Sequence, residues 1–270
     1  MKTIAVFGCG FVGGTTAEFL EMTGSKVIRV DPVKYPDTVP EIAIRQADGI
    51  VIAVPTPMGD DGRCDDSIVR SLFKKMGPQK RILLKSTVTM DNIADYPKNV
   101  VYNPEFLRER CAMEDFKAAE FQIFGSADKG NSLADTMWWA DLFEDSYKVL
   151  GRFIESVFTD RATASMIKYV HNSWLATKVA WFHELYANLP EGIDYKSLTA
   201  TLGMFDRIGP DMMAAPNHEG SLGYGGACFP KDVSALLQIL PHSILEKVHS
   251  TNSELNKFRA EHKQSILEVA

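Results

Sequence analysis

The stretch from Gly220 to Asp232, G-S-L-G-Y-G-G-A-C-F-P-K-D, holds the densest chemistry in the chain. Gly220, Gly223, Gly225 and Gly226 precede Cys228, and Pro230, Lys231 and Asp232 follow it. Glycines let backbone amides come close to a ligand and adopt φ > 0, which suits a phosphate. A cysteine beside such a loop can be a nucleophile, and Lys231 would favour the thiolate, the form that attacks. A Gly-rich turn with an inert buried thiol fits this stretch equally well when it is taken alone. Two further sets stand out. One is G-C-G-F-V-G, from Gly8 to Gly13, with Asp31 beyond it. The other is Lys168 with Asn172, four apart on one face of a long apolar helical pattern. A lysine on so apolar a helix needs a partner or a task, unless it snorkels to the surface.

These side chains need elements to hold them. Thr3 to Phe7 reads as a short buried strand, the glycine turn leads into a helix through about Met22, and Lys26 to Val30 is a second strand ending at Asp31. Strand, G-x-G-x-x-G, helix, strand and acid together form a dinucleotide-binding pattern. Gly8 makes the tight turn, Gly10 lets a pyrophosphate approach the backbone, Gly13 lets helix and strand pack, and the helix N-terminus faces the anion. Asp31 would accept hydrogen bonds from the adenosine ribose, and its charge selects NAD over NADP by repelling a 2′-phosphate.

Further strands are read at Gly49 to Val54, Arg81 to Lys85, Asn99 to Tyr102 and Phe121 to Phe124, with short helices at Glu41 to Gln46 and up to Met76. Alternation of strands and helices argues a doubly wound parallel sheet of Rossmann type. Gly8, Asp31, Thr56, Thr87 and Glu105 each sit just after a strand, so they converge on the crevice beyond the strand ends. Leu133 to Phe143 reads as a helix whose Trp138 and Trp139 pack. The segment from Ser156 to Arg161 reads as a boundary. This divides the chain into a cofactor domain at 1–157 and a mainly helical domain at 158–270. The second domain contains the long helix from Ala162 to Leu189, a short one at Lys196 to Leu202, one out of the Cys228 stretch, and a last polar one from Ile244.

Composition narrows the function classes. A formal net charge of −6 without a long single-sign run argues against nucleic acid as a partner. No apolar segment is long enough for a membrane span, and the N-terminal apolar run is too short for a signal peptide. Cys9, Cys64, Cys111 and Cys228 are scattered without metal-ligand spacing, so no metal is expected and a reduced, cytoplasmic setting fits.

The chain resembles the UDP-glucose/GDP-mannose dehydrogenase family of NAD-dependent nucleotide-sugar dehydrogenases. The resemblance rests on G-C-G-F-V-G, V-P-T-P (Val54 to Pro57), K-S-T-V (Lys85 to Val88), N-P-E-F-L-R-E (Asn103 to Glu109), I-K-Y-V-H-N (Ile167 to Asn172), D-R-I-G (Asp206 to Gly209) and G-Y-G-G-A-C-F-P-K-D. They occur in the family's order and cover most of the chain, and the last is the most specific. The resemblance implies oxidation of a sugar C6 hydroxyl to a carboxylate with two NAD. It makes Cys228 the nucleophile and gives Lys168 and Asn172 the oxyanions. Glu105 and Asp232 take proton transfer and water activation, and Thr87 positions water. Phe11, Val12, Val54, Thr56, Ser86, Glu109 and Lys231 join the glycine turn on the cofactor side. Phe106, Leu107, Arg108, Arg207, Leu222, Gly223, Tyr224 and Gly225 fall on the substrate side. The helix from Ala162 matches the family's dimer core, which implies a homodimer. The six histidines receive no role.

The chain also departs from the family. Its stretch from Asp31 to Val51 is shorter, so a helix and a strand of the cofactor domain are reduced or missing. Thr89-Met90 and Arg110 replace the residues usual after K-S-T-V and N-P-E-F-L-R-E. The chain ends inside what resembles the helix leading to the family's third, base-gripping domain, so that domain is expected to be absent. Two rival readings remain. One is a 3-hydroxyacid-type dehydrogenase, which makes one NADH per substrate and needs no cysteine. The other is a binding protein that keeps the fold without turnover.

Overall fold

The computed structural model describes residues 1–270 except 60, 61, 63, 128–132, 218, 219, 227 and 268–270, and describes 258–267 by their helical backbone. Ala227 of the Cys228 stretch therefore lies outside the described residues, as do the last residues of the terminal helix.

The chain forms two compact units, one of Met1–Gly59 and Cys64–Lys168, the other built on Tyr169–Ala270. The division falls inside one long helix, whereas the sequence places a boundary at 157/158. The first unit contains β1 (Thr3–Phe7), α1 (Phe11–Met22), β2 (Lys26–Val30), α2 (Pro40–Gln46), β3 (Gly49–Ile52), α3 (Ser67–Met76) and β4 (Arg81–Leu84). It continues with α4 (Met90–Ala94), β5 (Val100–Tyr102), α5 (Ala112–Ala118), β6 (Phe121–Ser126), α6 (Leu133–Val149) and β7 (Glu155–Asp160). Then α7 (Arg161–Ala187) runs on into the second unit, followed by α8 (Tyr195–Leu202), α9 (Phe229–Ile239) and α10 (Ile244–Leu267).

The seven strands form one sheet in the order β2-β1-β3-β4-β5-β6-β7. Strands β1 to β5 are parallel, and β6 meets β5 antiparallel through Tyr102 and Gly125. The sheet is thus mostly parallel, as the doubly wound Rossmann-type reading expects, with an antiparallel step at β6, which enters from the rim at which β5 leaves. Residues 155–160 form an edge strand, parallel to β6. As an edge strand, β7 is only partly covered, so its sequence E-S-V-F-T-D lacks the apolar run that marks a buried strand.

The central strands read as unbroken apolar runs because both faces are covered. Alternate residues point to opposite sides. Ile4, Val6, Val51, Leu83 and Val101 pack with Phe19, Leu20, Trp139 and Phe143. Ala5, Phe7, Ile50, Ile52, Ile82 and Leu84 pack with Ala43, Val69, Ile93 and Tyr96. Gly49 lets α6 approach, because a β-carbon there would lie 2.8 Å from both Trp138 and Trp139. Between β2 and β3 stands only the short α2, so the stretch from Asp31 to Asp48 holds no strand, and β2 is an edge strand of the sheet. The order reverses between β1 and β3, and in such sheets ligands bind beyond the strand ends at that switch point.

The second unit has a core of Ala176, Val179, Ala180, Tyr224, Val233 and Val248, drawn from α7, the glycine-rich stretch, α9 and α10. Among the described residues no helix is long and apolar enough to cross a membrane.

Candidate functional site

In the first unit the site begins at the turn after β1. Gly8 has φ +82°, and a β-carbon there would lie 2.5 Å from the Ala53 carbonyl oxygen. Only glycine lets the turn press so close to the end of β3. At Gly13 an added β-carbon would lie 1.8 Å from the Gly8 oxygen, so α1 rests directly on the turn. Gly10 is different. Among the described residues nothing stands within 4 Å of a β-carbon placed on it. It is also the N-cap of α1 and offers no side-chain cap. The leading amides of α1, at Phe11 and Val12, have no partner within the helix and suit a pyrophosphate. These features fit a dinucleotide.

Asp31 closes the turn from β2. One carboxylate oxygen accepts the Cys9 amide at 2.8 Å, and the other accepts those of Val33 and Lys34 at 3.0 Å. These amide bonds, led by Lys34 and Cys9, hold its carboxyl below the usual range. Cys9 itself is buried, and its thiol is pushed up by burial and then by the Asp31 charge. The folded-back segment brings the Lys34 ammonium onto the Cys9 carbonyl at 2.8 Å. A cleft of about 400 Å³ opens here, lined in part by Gly10, Phe11, Arg29, Lys34, Tyr35 and Glu109. Glu109, far from the glycine turn in sequence, is thus its neighbour in space.

The other predicted positions follow the rim of the sheet. The Ser86 hydroxyl donates to the Val54 carbonyl at 2.8 Å, and the Thr56 hydroxyl donates to the Thr87 carbonyl at 2.7 Å. One Glu105 oxygen accepts the amides of Phe106 and Leu107 at 2.7 and 2.9 Å. The other faces the Lys85 ammonium at 3.1 Å. Lys85 also donates to Asn103 at 2.6 Å, and its side chain is fully buried. Lys168 donates to the Glu105 carbonyl, and its ammonium lies 5.2 Å from the centre of the Phe106 ring. The apolar helix thus gives its lysine a partner rather than a route to solvent. Arg108 pairs with Asp115 at 2.6 Å.

In the second unit Cys228 is exposed and immediately precedes α9. Asp232, one turn on, is buried, and its amide donates to the Cys228 carbonyl at 2.9 Å. Its carboxylate accepts from Asn172 at 2.6 Å and from Lys231 at 2.7 Å. The Lys231 charge is therefore directed at Asp232. Arg207 is exposed in the segment between α8 and α9. Of the predicted loop, Leu222 is half-buried, Gly223 and Tyr224 are buried, and Gly225 is exposed. Tyr224 is a core residue whose phenol is pushed up to about 12 by burial. Its backbone is held at both ends by Asn252, which accepts the amide at 2.6 Å and donates to the carbonyl at 3.1 Å.

Residues 36–144 match the UDP-glucose/GDP-mannose dehydrogenase family, NAD binding domain, and residues 162–256 match the central domain of the same family. The chain belongs to the UDP-glucose/GDP-mannose dehydrogenase family. A family relative named UDP-glucose 6-dehydrogenase, from Rickettsia bellii (strain RML369-C), is 36% identical over 232 residues, covering 78% of this chain and 50% of the relative. The chain spans about half the length of that relative. A UDP-glucose dehydrogenase structure from the archaeon Pyrobaculum islandicum shares the fold, with a TM-score of 0.75 at 24% identity over 96% of this chain and 68% of that one. A 3-hydroxyisobutyrate dehydrogenase structure from Mycobacterium tuberculosis shares it too, with a TM-score of 0.69 at 17% identity over 97% of this chain and 95% of that one.

Three residues of these sites have roles that the sequence does not show. Lys34 reads as an ordinary lysine until the fold places it on the glycine turn, and Lys85, the first residue of K-S-T-V, gives no sign in sequence that it is buried beside Glu105. His183 reads as a histidine inside a helix, and its ring meets the glycine-rich stretch only in three dimensions.

Proposed function

We propose that this protein oxidises the C6 hydroxyl of a nucleotide sugar to the carboxylate, in two successive NAD-dependent steps, as in conversion of UDP-glucose to UDP-glucuronate. Family membership supports the reaction class. The observation that carries the finer reading is Cys228, exposed at the head of α9, one turn from an Asp232 held by Asn172 and Lys231.

NAD, when bound, supplies the hydride acceptor. Gly8, Gly10, Phe11, Val12 and Gly13 would hold its pyrophosphate and Asp31 its ribose, with Val54, Thr56, Ser86, Glu109 and Lys231 also on the cofactor side. Phe106, Leu107, Arg108, Arg207 and Leu222 to Gly225 hold the substrate. The Cys228 sulfur adds to the C6 aldehyde left by the first oxidation, forming a C–S bond and a thiohemiacetal. Loss of hydride from C6 gives a thioester. Water then attacks the carbonyl, the C–S bond breaks, and carboxylate and thiol are released. Lys168 and Asn172 stabilise the oxyanions, where fixed positive charge and dipoles lower the barrier most. Glu105 and Asp232 move protons, and Thr87 orients the attacking water.

A panel of UDP- and GDP-linked sugars with NAD tests this. Two NADH should form per sugar acid, and Cys228→Ala should make no acid while retaining some alcohol–aldehyde exchange. One NADH per molecule of a simple hydroxyacid would replace this reading with the 3-hydroxyacid one, and acid formation by Cys228→Ala at the normal rate would remove the nucleophile.

The same reading makes the protein a homodimer through α7. In the single chain Trp174 is 64% and Trp181 61% exposed, with Ile167 and Val170 on the same helix also exposed. So large an apolar ridge supports an interface. Light scattering should give a dimer, and Trp174→Glu with Trp181→Glu a monomer; a wild-type monomer would refute it. Four free cysteines support the reduced, cytoplasmic setting.

A further inference from the structure

His183 lies on α7 and is almost wholly buried, with 1% of its surface exposed. Both ring nitrogens are used. Nε2 stands 2.8 Å from the Ala214 carbonyl, and Nδ1 accepts the Gly223 amide at 2.8 Å. A carbonyl only accepts and an amide N–H only donates, so these partners fix the ring as the neutral tautomer with the proton on Nε2. Burial acts in the same direction, disfavouring the charged ring.

The amide held by His183 belongs to a residue packed closely against α10. Gly223 has φ +80°, and a β-carbon on it would lie 2.7 Å from the Asn252 side-chain oxygen. The next residue, Tyr224, is held by Asn252 through both its amide and its carbonyl. The loop is therefore gripped from α7 by an imidazole and from α10 by an amide side chain, and Gly225 emerges exposed beyond the grip. Unlike Asn252, His183 ties the loop also to the segment at Ala214.

We propose that His183 is a positioning residue, whose neutral imidazole joins Ala214 to Gly223 and so sets the glycine-rich loop for the nucleotide sugar. This rests on the reading of Gly223 to Gly225 as a substrate-side segment. Its ring bonds go to Ala214 and Gly223, so its removal should be felt in substrate affinity.

The test compares His183→Leu, which has no acceptor, with His183→Asn, whose side-chain oxygen can replace Nδ1. A buried amide left without its acceptor should raise the nucleotide-sugar KM about tenfold or more in His183→Leu. In that variant kcat and NAD affinity should stay near wild type, and the Gly223 amide should exchange with solvent faster. His183→Asn should recover most of the KM and of the amide protection. Nitrogen NMR of the wild-type ring should show Nε2 protonated and Nδ1 bare at neutral pH. Unchanged KM and Gly223 exchange in His183→Leu would overturn the proposal, as would equal losses in the two variants, or a ring protonated on Nδ1. If His183→Leu does not fold, the wild-type tautomer and His183→Asn still decide. If no nucleotide sugar is bound or oxidised, the proposed function fails, while exchange at Gly223 still shows whether His183 holds the loop.

Discussion

Replacing Lys85 with methionine should destabilise the first unit more than its conservative volume suggests. Methionine keeps an apolar stem near Phe116 and Phe143, whose ring centres lie 5.5 and 5.9 Å from the lysine nitrogen. What is lost is the charge 3.1 Å from a Glu105 oxygen. At an effective dielectric constant of about 20, two charges so close attract by about 5 kcal/mol. Removing one partner of a buried pair costs about 3–5 kcal/mol, because the other charge is left stranded. Glu105 keeps the amides of Phe106 and Leu107, which places the loss toward the lower end, about 3 kcal/mol. Adding Glu105→Gln removes the stranded charge, so the double variant should be more stable than Lys85→Met alone. Urea unfolding followed by Trp138 and Trp139, in a background with Trp174→Phe and Trp181→Phe, reads the first unit. A loss below about 1 kcal/mol, or a double variant no better than the single, would refute the stranded-charge argument.

Three other outcomes are expected. Gly13→Ala should abolish NAD binding in calorimetry and lower the melting temperature, since its β-carbon would fall 1.8 Å from the Gly8 oxygen and α1 must move off the turn. Asp31→Ala should weaken NAD about tenfold or more and narrow the gap to NADP, because the turn loses its acceptor and the ribose its carboxylate; equal affinities for the two cofactors in the wild type would count against it. Acidification should destabilise the protein from two sources with one sign. Asp31 and Asp160 are held low by backbone amides and Asp115 by Arg108, so their stabilisation is present above the usual carboxylate range and lost as pH falls through their lowered values. His183 is pushed down by burial, so its share is complete above the ordinary imidazole value of about 6.5 and lost as pH falls below it. Melting temperatures that rise as the pH is lowered from about 6.5 to about 5 would contradict the His183 sign, and a rise on further acidification from about 4 to about 2 would contradict the carboxylate sign.

The sequence by itself determined the elements whose signal is local. The glycine turn, the apolar runs of β1, β3 and β4, and the long α7 follow from chain geometry and from burial on both faces, which a short window of residues records. The motifs placed Cys228, Asp232, Asn172 and Lys168 in a family before any geometry was known. Tertiary structure alone decided the rest. The antiparallel entry of β6 and the edge strand β7 depend on pairing partners distant in sequence, and an edge strand needs no apolar run. The buried Lys85 beside Glu105, Lys34 on the glycine turn, and His183 between Ala214 and Gly223 are ordinary residue types at ordinary spacings. Their partners are tens of residues away, or belong to the backbone, whose position no side-chain pattern records. Hydrogen bonds to backbone atoms depend on how the chain folds back on itself, and only the folded chain fixes that.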